Sequence, residues 1–248
     1  MTDSETSAAQ STLAPDHSAR PDLLTQRSAD PLTEDLALAL LQSRDMLPEA
    51  IEHLSKNAIV TKSRKVRFAL ASHSRAPRHI SLRLVREFYT IDLMRFALLP
   101  AVAADIKHAA DELLVARLAS VTLGERISLA RRASGTVAAA LLLDKEARVW
   151  QMALENPRLT EAAVVKTVLR LNSNAAFVET VCHHPKWLLR PEIRMALLRN
   201  DKTPLARALE FASTLPPAQL RDILYNSRLP EKVKACLLKE LETRKKKD

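Results

Sequence analysis

The densest group of chemically capable side chains is "VCHHPKW" at residues 181–187. Cys182, His183 and His184 are all of types that zinc accepts as ligands. Adjacent residues on a helix point about 100° apart, however, so three in succession rarely converge on one ion. No second Cys/His pair stands at zinc-finger spacing, and Cys236 is the only other cysteine. The sequence therefore predicts no metal ligands, no disulfide and no bound cofactor.

Catalytic motifs give no signal in this chain. There is no GxSxG or HExxH, and Gly124 and Gly135 are the only glycines. Loops that cradle phosphates, and the first turn of dinucleotide-binding folds, need glycine where the backbone approaches the ligand. We therefore expect no catalytic residues and a protein that is not an enzyme.

Basic side chains are the most suggestive surface feature. The formal net charge is +9, and runs such as "TKSRKVR" at 61–67 are dense in Lys and Arg. Collected on one face, these side chains would suit an acidic partner or a phosphate backbone. The candidate interaction surface comprises Arg64, Lys65, Arg75, Arg78, Arg83, Arg131, Arg132, Arg190 and Arg194.

The elements that must position these residues are predicted to be helices alone. Leu, Ala, Arg, Lys and Glu dominate, and all favour helix, while the scarcity of glycine disfavours a parallel α/β fold and a β-sandwich. We expect Gly135 to end a helix as its C-cap. The predicted helices span 33–43, 47–56, 62–72, 77–88, 90–99, 103–118, 123–133, 136–143, 146–155, 160–171, 174–182, 190–199, 204–213, 217–225 and 229–243.

A five-residue pattern recurs between these helices. An Asn or His is followed, four residues later, by Thr or Pro in "NAIVT", "HSRAP", "NPRLT", "NDKTP" and "NSRLP". Asn suits a helix end or turn, Thr is a good N-cap, and Pro fits the first helical turn. The pattern therefore predicts breaks between helices at Asn57, His73, Pro77, Asn156, Thr160, Asn200, Pro204, Asn226 and Pro230.

The pattern belongs to a longer repeat. A shift of 127 residues places Val66 on Ile193 and runs ungapped for some fifty residues. It also superposes Arg67 on Arg194, which suggests a packing or ion-pair role for that position. We interpret the chain as duplicated halves at about 57–118 and 184–243, joined by 119–183, that stack as a solenoid.

Runs such as "IRMALLRNDKTPLARAL" and "VWQMALENPRLTEAAVV" resemble the leucine-rich repeat variant and HEAT-like helical repeat families, of bacterial type. The resemblance implies a right-handed array of paired short helices. The cysteine cluster that holds an iron–sulfur centre in some variant-repeat proteins is missing here. Alkylpurine DNA glycosylases built from HEAT-like repeats use tryptophans with an Asp/Arg pair. Here Asp144 and Arg148 lie near Trp150, and Arg190 and Arg194 lie near Trp187. The local motifs do not match that family, so ordinary helix packing is the preferred interpretation of Trp150.

Three segments are predicted: an acidic, disordered arm at 1–30, one helical repeat domain at 31–243, and a basic tail at 244–248. No membrane span or secretory signal is recognised, which favours the cytoplasm. The leading hypothesis is an intracellular scaffold that presents a basic surface to a protein partner. The alternative is a nucleic-acid-binding repeat protein related to those glycosylases. A further possibility is that the acidic arm shields the basic face.

Overall fold

The all-α class predicted from composition is confirmed. A computed structural model describes residues 32–245, and within that range it contains 17 helices and no strand. In chain order the helices are α1 (Glu34–Leu41), α2 (Pro48–Lys56), α3 (Ala58–Thr61), α4 (Arg64–Ser72), α5 (Arg78–Val85), α6 (Thr90–Ala97), α7 (Ala104–Arg117), α8 (Leu123–Arg132), α9 (Gly135–Leu141), α10 (Ala147–Leu154), α11 (Glu161–Val168), α12 (Ala175–His183), α13 (Pro185–Leu188), α14 (Pro191–Leu198), α15 (Leu205–Ser213), α16 (Pro217–Tyr225) and α17 (Glu231–Lys245).

Local capping chemistry fixes where many helices begin. The Ser63 hydroxyl accepts a hydrogen bond from a backbone N–H in the first turn of α4, and Thr160 does the same for α11. Thr122 and Glu125 form a reciprocal capping box at the start of α8. Proline is the first residue of α2, α13, α14 and α16, where its missing N–H costs no helical hydrogen bond.

Two features differ from the sequence-based expectation. The short helices α3 and α13 were not predicted; each starts directly after a capping side chain, Asn57 or His184. The predicted C-cap role of Gly135 is wrong. Gly135 opens α9, which is capped by the Ser134 hydroxyl. A Cβ on Gly135 would collide with the Arg158 carbonyl oxygen, so close backbone approach explains the glycine.

Helices stack mainly on near neighbours in the chain. Even-numbered helices contact each other in the series α2–α4–α6, α8–α10–α12 and α14–α16, and odd-numbered ones in the series α5–α7–α9 and α15–α17. Each extensive contact joins helices at most three elements apart. The buried apolar side chains nevertheless form one continuous core, from Ala37 to Leu241. Such a core lets each helix bury its apolar stripe against the next layer.

The shift of 127 residues seen in the sequence also relates the helices. The first residues of α1 to α7 fall on the first residues of α11 to α17, and the last residues agree within one position. The correspondence covers 34–117 and 161–244, which is wider than the sequence similarity alone suggested. Helices α8 to α10 lie between the two series.

The ends of the chain are only partly described. The predicted arm at 1–30 lies outside the described residues. Helix α17 continues to Lys245, two residues beyond the predicted domain end, and the rest of the predicted basic tail lies outside the described range. Among residues 32–245, no helix combines the length and apolar character needed to cross a lipid bilayer.

Candidate functional site

A groove between the stacked helices α4 and α6 contains the best-defined cluster of predicted interaction residues. Its volume is about 440 Å³, and it is lined by Arg64, Lys65, Phe68, Asp92 and Arg95. Arg64 and Lys65 occupy the first turn of α4, which contains no acidic residue. Cations there oppose the helix dipole, so their position does not help the helix itself. The N-terminal end of α4 and the two cations together favour an anion.

One carboxylate balances part of this charge. Arg64 binds both Asp92 carboxylate oxygens, with Nη2 2.8 Å from Oδ1 and Nε on Oδ2. This hydrogen bonding raises the pKa of the Arg64 guanidinium, which remains half exposed, whereas Asp92 is buried. Within the described part of the chain, no carboxylate pairs with Lys65 or Arg95, and both are exposed. The groove therefore has an excess of two positive charges.

The apolar part of the groove lining is the ring of Phe68, which packs against two further aromatic rings. Phe68 stacks on Phe88 at 5.6 Å between ring centroids, and meets the edge of Phe96 at 6.0 Å. On the rim, the Arg64 guanidinium lies 5.1 Å from the ring centroid of Tyr89, whose side chain is exposed. An anionic group with an attached apolar or aromatic part matches these surroundings.

The other predicted interaction residues do not join this groove. Arg75 pairs with Asp45, Arg78 pairs with Asp105, and Arg83 donates to the Ser55 carbonyl. In the second half, Arg194 donates to the Leu188 carbonyl. The remaining three lie elsewhere: Arg131 and Arg132 in the last turn of α8, and Arg190 at the N-cap of α14.

The recurring Arg also has a local partner in each half. Arg67 forms an ion pair with Glu87 at 3.0 Å, and its counterpart Arg194 binds backbone. Arg67 thus connects α4 to the segment after α5, and Arg194 connects α14 to the last residue of α13.

Two of the residues predicted as breaks between helices, Asn156 and Asn200, form hydrogen bonds in two directions. Asn156 Oδ1 accepts from the Arg158 N–H, while its amide nitrogen donates to the Ala130 and Ala133 carbonyls. Asn200 accepts from the Lys202 N–H and donates to Val168 and Ser173. Each side chain thus closes its own turn and fastens it to helices earlier in the chain.

Histidine occupies the same role at two other positions. His73 Nδ1 accepts from the Arg75 N–H and Nε2 lies 3.0 Å from the Ser43 carbonyl oxygen. His184 accepts from the Lys186 N–H and contacts Glu155 at 3.1 Å. Asn57 only caps α3, and Asn226 bonds the Asp222 carbonyl within its own helix.

A second recurring position in this pattern escaped the sequence analysis. Two residues after the Asn or His, a basic side chain donates to backbone carbonyls earlier in the chain. Arg75 contacts Asp45, Arg158 contacts Arg132, Lys202 contacts Ser173 and Arg228 contacts Leu169. The signal was visible, since four of the five pentapeptides have Arg or Lys at their third position. These cations stabilise the fold and are not free for a partner.

The Cys182, His183 and His184 side chains of the "VCHHPKW" segment lie in three different environments. Cys182 is buried, and desolvation raises the pKa of its thiol to about 12. His183 contacts the Glu179 carbonyl in its own helix, whereas His184 faces Glu155. Trp187 donates its indole N–H to the Leu154 carbonyl at 3.0 Å. Near the other tryptophan, Trp150, the Asp144 carboxylate lies 2.9 Å from the Arg126 guanidinium, and Trp150 itself is buried in the core.

No protein family, no curated protein and no solved structure gives a significant match to this chain. The helical-repeat resemblance therefore remains an interpretation of the sequence pattern, and function must be argued from the groove and its surroundings.

Proposed function

We propose that this protein is a non-catalytic intracellular scaffold, built as a right-handed helical-repeat solenoid, that binds an acidic segment of a protein partner in the α4/α6 groove. The observation that carries the proposal is the arrangement of Arg64, Lys65 and Arg95 around an aromatic floor, with Asp92 as the single carboxylate of the groove. Acidic side chains of a partner would meet the cations, and an apolar residue beside them would meet Phe68.

The stacking of alternate helices supports the solenoid part of the proposal. Repeat proteins of this kind contact mainly their sequence neighbours, and they expose long surfaces on which partners dock. The two free cysteines, Cys182 and Cys236, fit the reducing interior of a cell.

The distribution of cations favours a local docking site over a continuous phosphate track. Five of the nine predicted interaction residues bind carboxylates or backbone carbonyls of the fold. A nucleic-acid surface needs many unpaired cations along one path, because each phosphate contact adds to affinity.

Binding of a labelled acidic peptide tests the proposal. The probe alternates Glu with Phe, and the full chain is titrated by fluorescence anisotropy at several salt concentrations. The variant Lys65→Gln/Arg95→Gln removes the two unpaired cations, and we expect it to bind the peptide about tenfold more weakly. The matched variant Lys166→Gln/Arg221→Gln removes two exposed cations elsewhere, and we expect affinity close to that of the wild type.

Equal affinity of both variants for the peptide would refute the proposed groove. A short DNA duplex serves as the second probe. Tighter binding to DNA than to the peptide, with a steep loss as salt rises, would replace the scaffold with the nucleic-acid-binding alternative.

A further inference from the structure

A second cavity lies far along the chain from the basic groove. Its volume is about 490 Å³, within the range of small-molecule sites. The segment that joins α9 to α10 and the segment that joins α11 to α12 form its walls. Trp150 and Phe177 contribute packed aromatic rings, 5.6 Å apart in an edge-to-face arrangement.

Trp150, which lines this cavity and a neighbouring one, carries an unsatisfied polar atom. The residue is only 2 % exposed, and its indole Nε1 has no hydrogen-bond partner among the described residues. Trp187 provides the contrast, because its indole N–H is bound to the Leu154 carbonyl. Buried indole N–H groups usually donate to an acceptor. The Trp150 N–H has no acceptor among the described residues, so it is free to donate to a bound molecule.

Ser173 adds a second donor. Its buried hydroxyl oxygen accepts a hydrogen bond from Asn200 Nδ2 at 2.9 Å. The hydroxyl proton itself has no acceptor among the described residues. Trp150 and Ser173 therefore both line this cavity, and the N–H of one and the O–H of the other have no acceptor among the described residues.

The mouth of the cavity is positively charged. Lys145 and Arg170 are exposed lining residues, and neither side chain binds a carboxylate in the described part of the chain. Asp144, the acidic lining residue, is already 2.9 Å from Arg126. Leu142 and Leu143 add apolar surface beside these charges.

We propose that this cavity binds a small organic carboxylate with an apolar body. The carboxylate oxygens accept from the Trp150 indole and the Ser173 hydroxyl, while Lys145 and Arg170 balance the negative charge. The apolar body packs against Phe177 and the leucines. This site is independent of the proposed groove, since it shares no residue with it.

Phenylacetate is a suitable probe, and phenylacetamide is its uncharged counterpart. The two indole N–H signals of the full-length, ¹⁵N-labelled protein are assigned with the Trp150→Phe variant. We expect phenylacetate to shift the Trp150 signal with a saturable dependence on concentration and to leave the Trp187 signal in place. Phenylacetamide should bind about tenfold more weakly, because it lacks the charge.

The double variant Lys145→Gln/Arg170→Gln changes only exposed side chains and should fold normally. We expect it to weaken phenylacetate binding about tenfold, and Lys166→Gln/Arg221→Gln to leave binding unchanged. The proposal is overturned by an unshifted Trp150 signal, by equal shifts of both indoles, or by unaltered affinity of the double variant at the cavity mouth.

Discussion

The side-chain amide of Asn200 donates to the backbone carbonyl of Val168, 32 residues earlier in the chain. The same side chain closes the turn that precedes α15, through the Lys202 N–H at 2.8 Å. Asn200 is fully buried, so water cannot replace either bond.

Replacement of Asn200 by Ala should therefore destabilise the protein strongly. The change leaves a buried carbonyl and a turn N–H without partners, which costs about 2 kcal/mol. Equilibrium unfolding in urea measures the loss. Asn226→Ala is the matched control: its exposed side chain bonds only its own helix, and we expect a change below about 0.5 kcal/mol. Similar losses for the two variants would contradict the role assigned to Asn200.

The two glycines should respond to alanine with opposite signs. At Gly135 the new methyl group collides with the Arg158 carbonyl, and we expect a loss of about 1–3 kcal/mol in unfolding free energy. At Gly124 the added Cβ meets no atom within 4 Å apart from its chain neighbours and the nearby backbone of its own helix, α8. Alanine there should stabilise the protein by about 0.5–1 kcal/mol. Thermal or urea unfolding of the pair tests both signs.

Cys182 should resist thiol reagents as long as the protein is folded. Burial raises the pKa of its thiol to about 12, so almost no thiolate forms near neutral pH. With a disulfide reagent at mildly alkaline pH, we expect one rapid reaction, at the exposed Cys236, and none in the Cys236→Ser variant. Urea should expose the second thiol. Rapid labelling of native Cys236→Ser protein would show that Cys182 is accessible.

The same shift in pKa predicts a loss of stability at high pH. Because the folded-state pKa lies above the ordinary value of 9.0, the folded state holds the proton more tightly than the unfolded state. This contribution is complete below pH 9 and is lost as the pH rises toward 12. Cys182→Ala should remove this part of the dependence. An unchanged slope between wild type and variant would argue against the buried thiol as its source.

The buried carboxyl of Asp111 predicts how the stability of the protein changes between acidic and neutral pH. Desolvation raises the pKa of this buried carboxyl, although a hydrogen bond from Ser134 lowers it in part, and its Oδ1 has no hydrogen-bond partner in the described region. Folding therefore favours the protonated form of the Asp111 carboxyl. Above the ordinary pKa of the group, its ionisation lowers the free energy of unfolding. Asp111→Asn should raise the unfolding free energy by about 0.5–1 kcal/mol at neutral pH. The gain should vanish in acid, and a gain that is independent of pH would exclude ionisation as the cause.

Much of the helix pattern was readable from the sequence because caps and prolines act locally. The predicted helices at 190–199 and 204–213 correspond to α14 and α15 almost residue by residue. Gly135 was misread because a glycine often ends a helix, although Ser134 immediately before it was the stronger, N-terminal signal. The reason for the glycine itself, contact with the Arg158 carbonyl, depends on packing between helices.

The candidate site was only partly predictable. Arg64 and Lys65 were selected from a run of charge, whereas Arg95 and the pairing with Asp92 were not. Helical periodicity indicates which face of its helix a residue occupies. It does not indicate which residue lies across the groove, and here the partner of Arg64 is Asp92, 28 residues later in the chain. The same limit concealed the basic side chains that bind backbone carbonyls, since a solvated charge and a capping charge look alike in sequence.

The common spacing of α1–α7 and α11–α17 has an electrostatic consequence. In the second half, the positions of Lys65 and Arg95 are occupied by Glu192 and Asp222, which are exposed acidic residues on α14 and α16. Equivalent positions of the two series therefore have opposite sign, and the positive charge of the groove is not repeated in the second half. A negatively charged ligand is therefore attracted by Lys65 and Arg95 at the groove, whereas Glu192 and Asp222 would repel it at the equivalent surface.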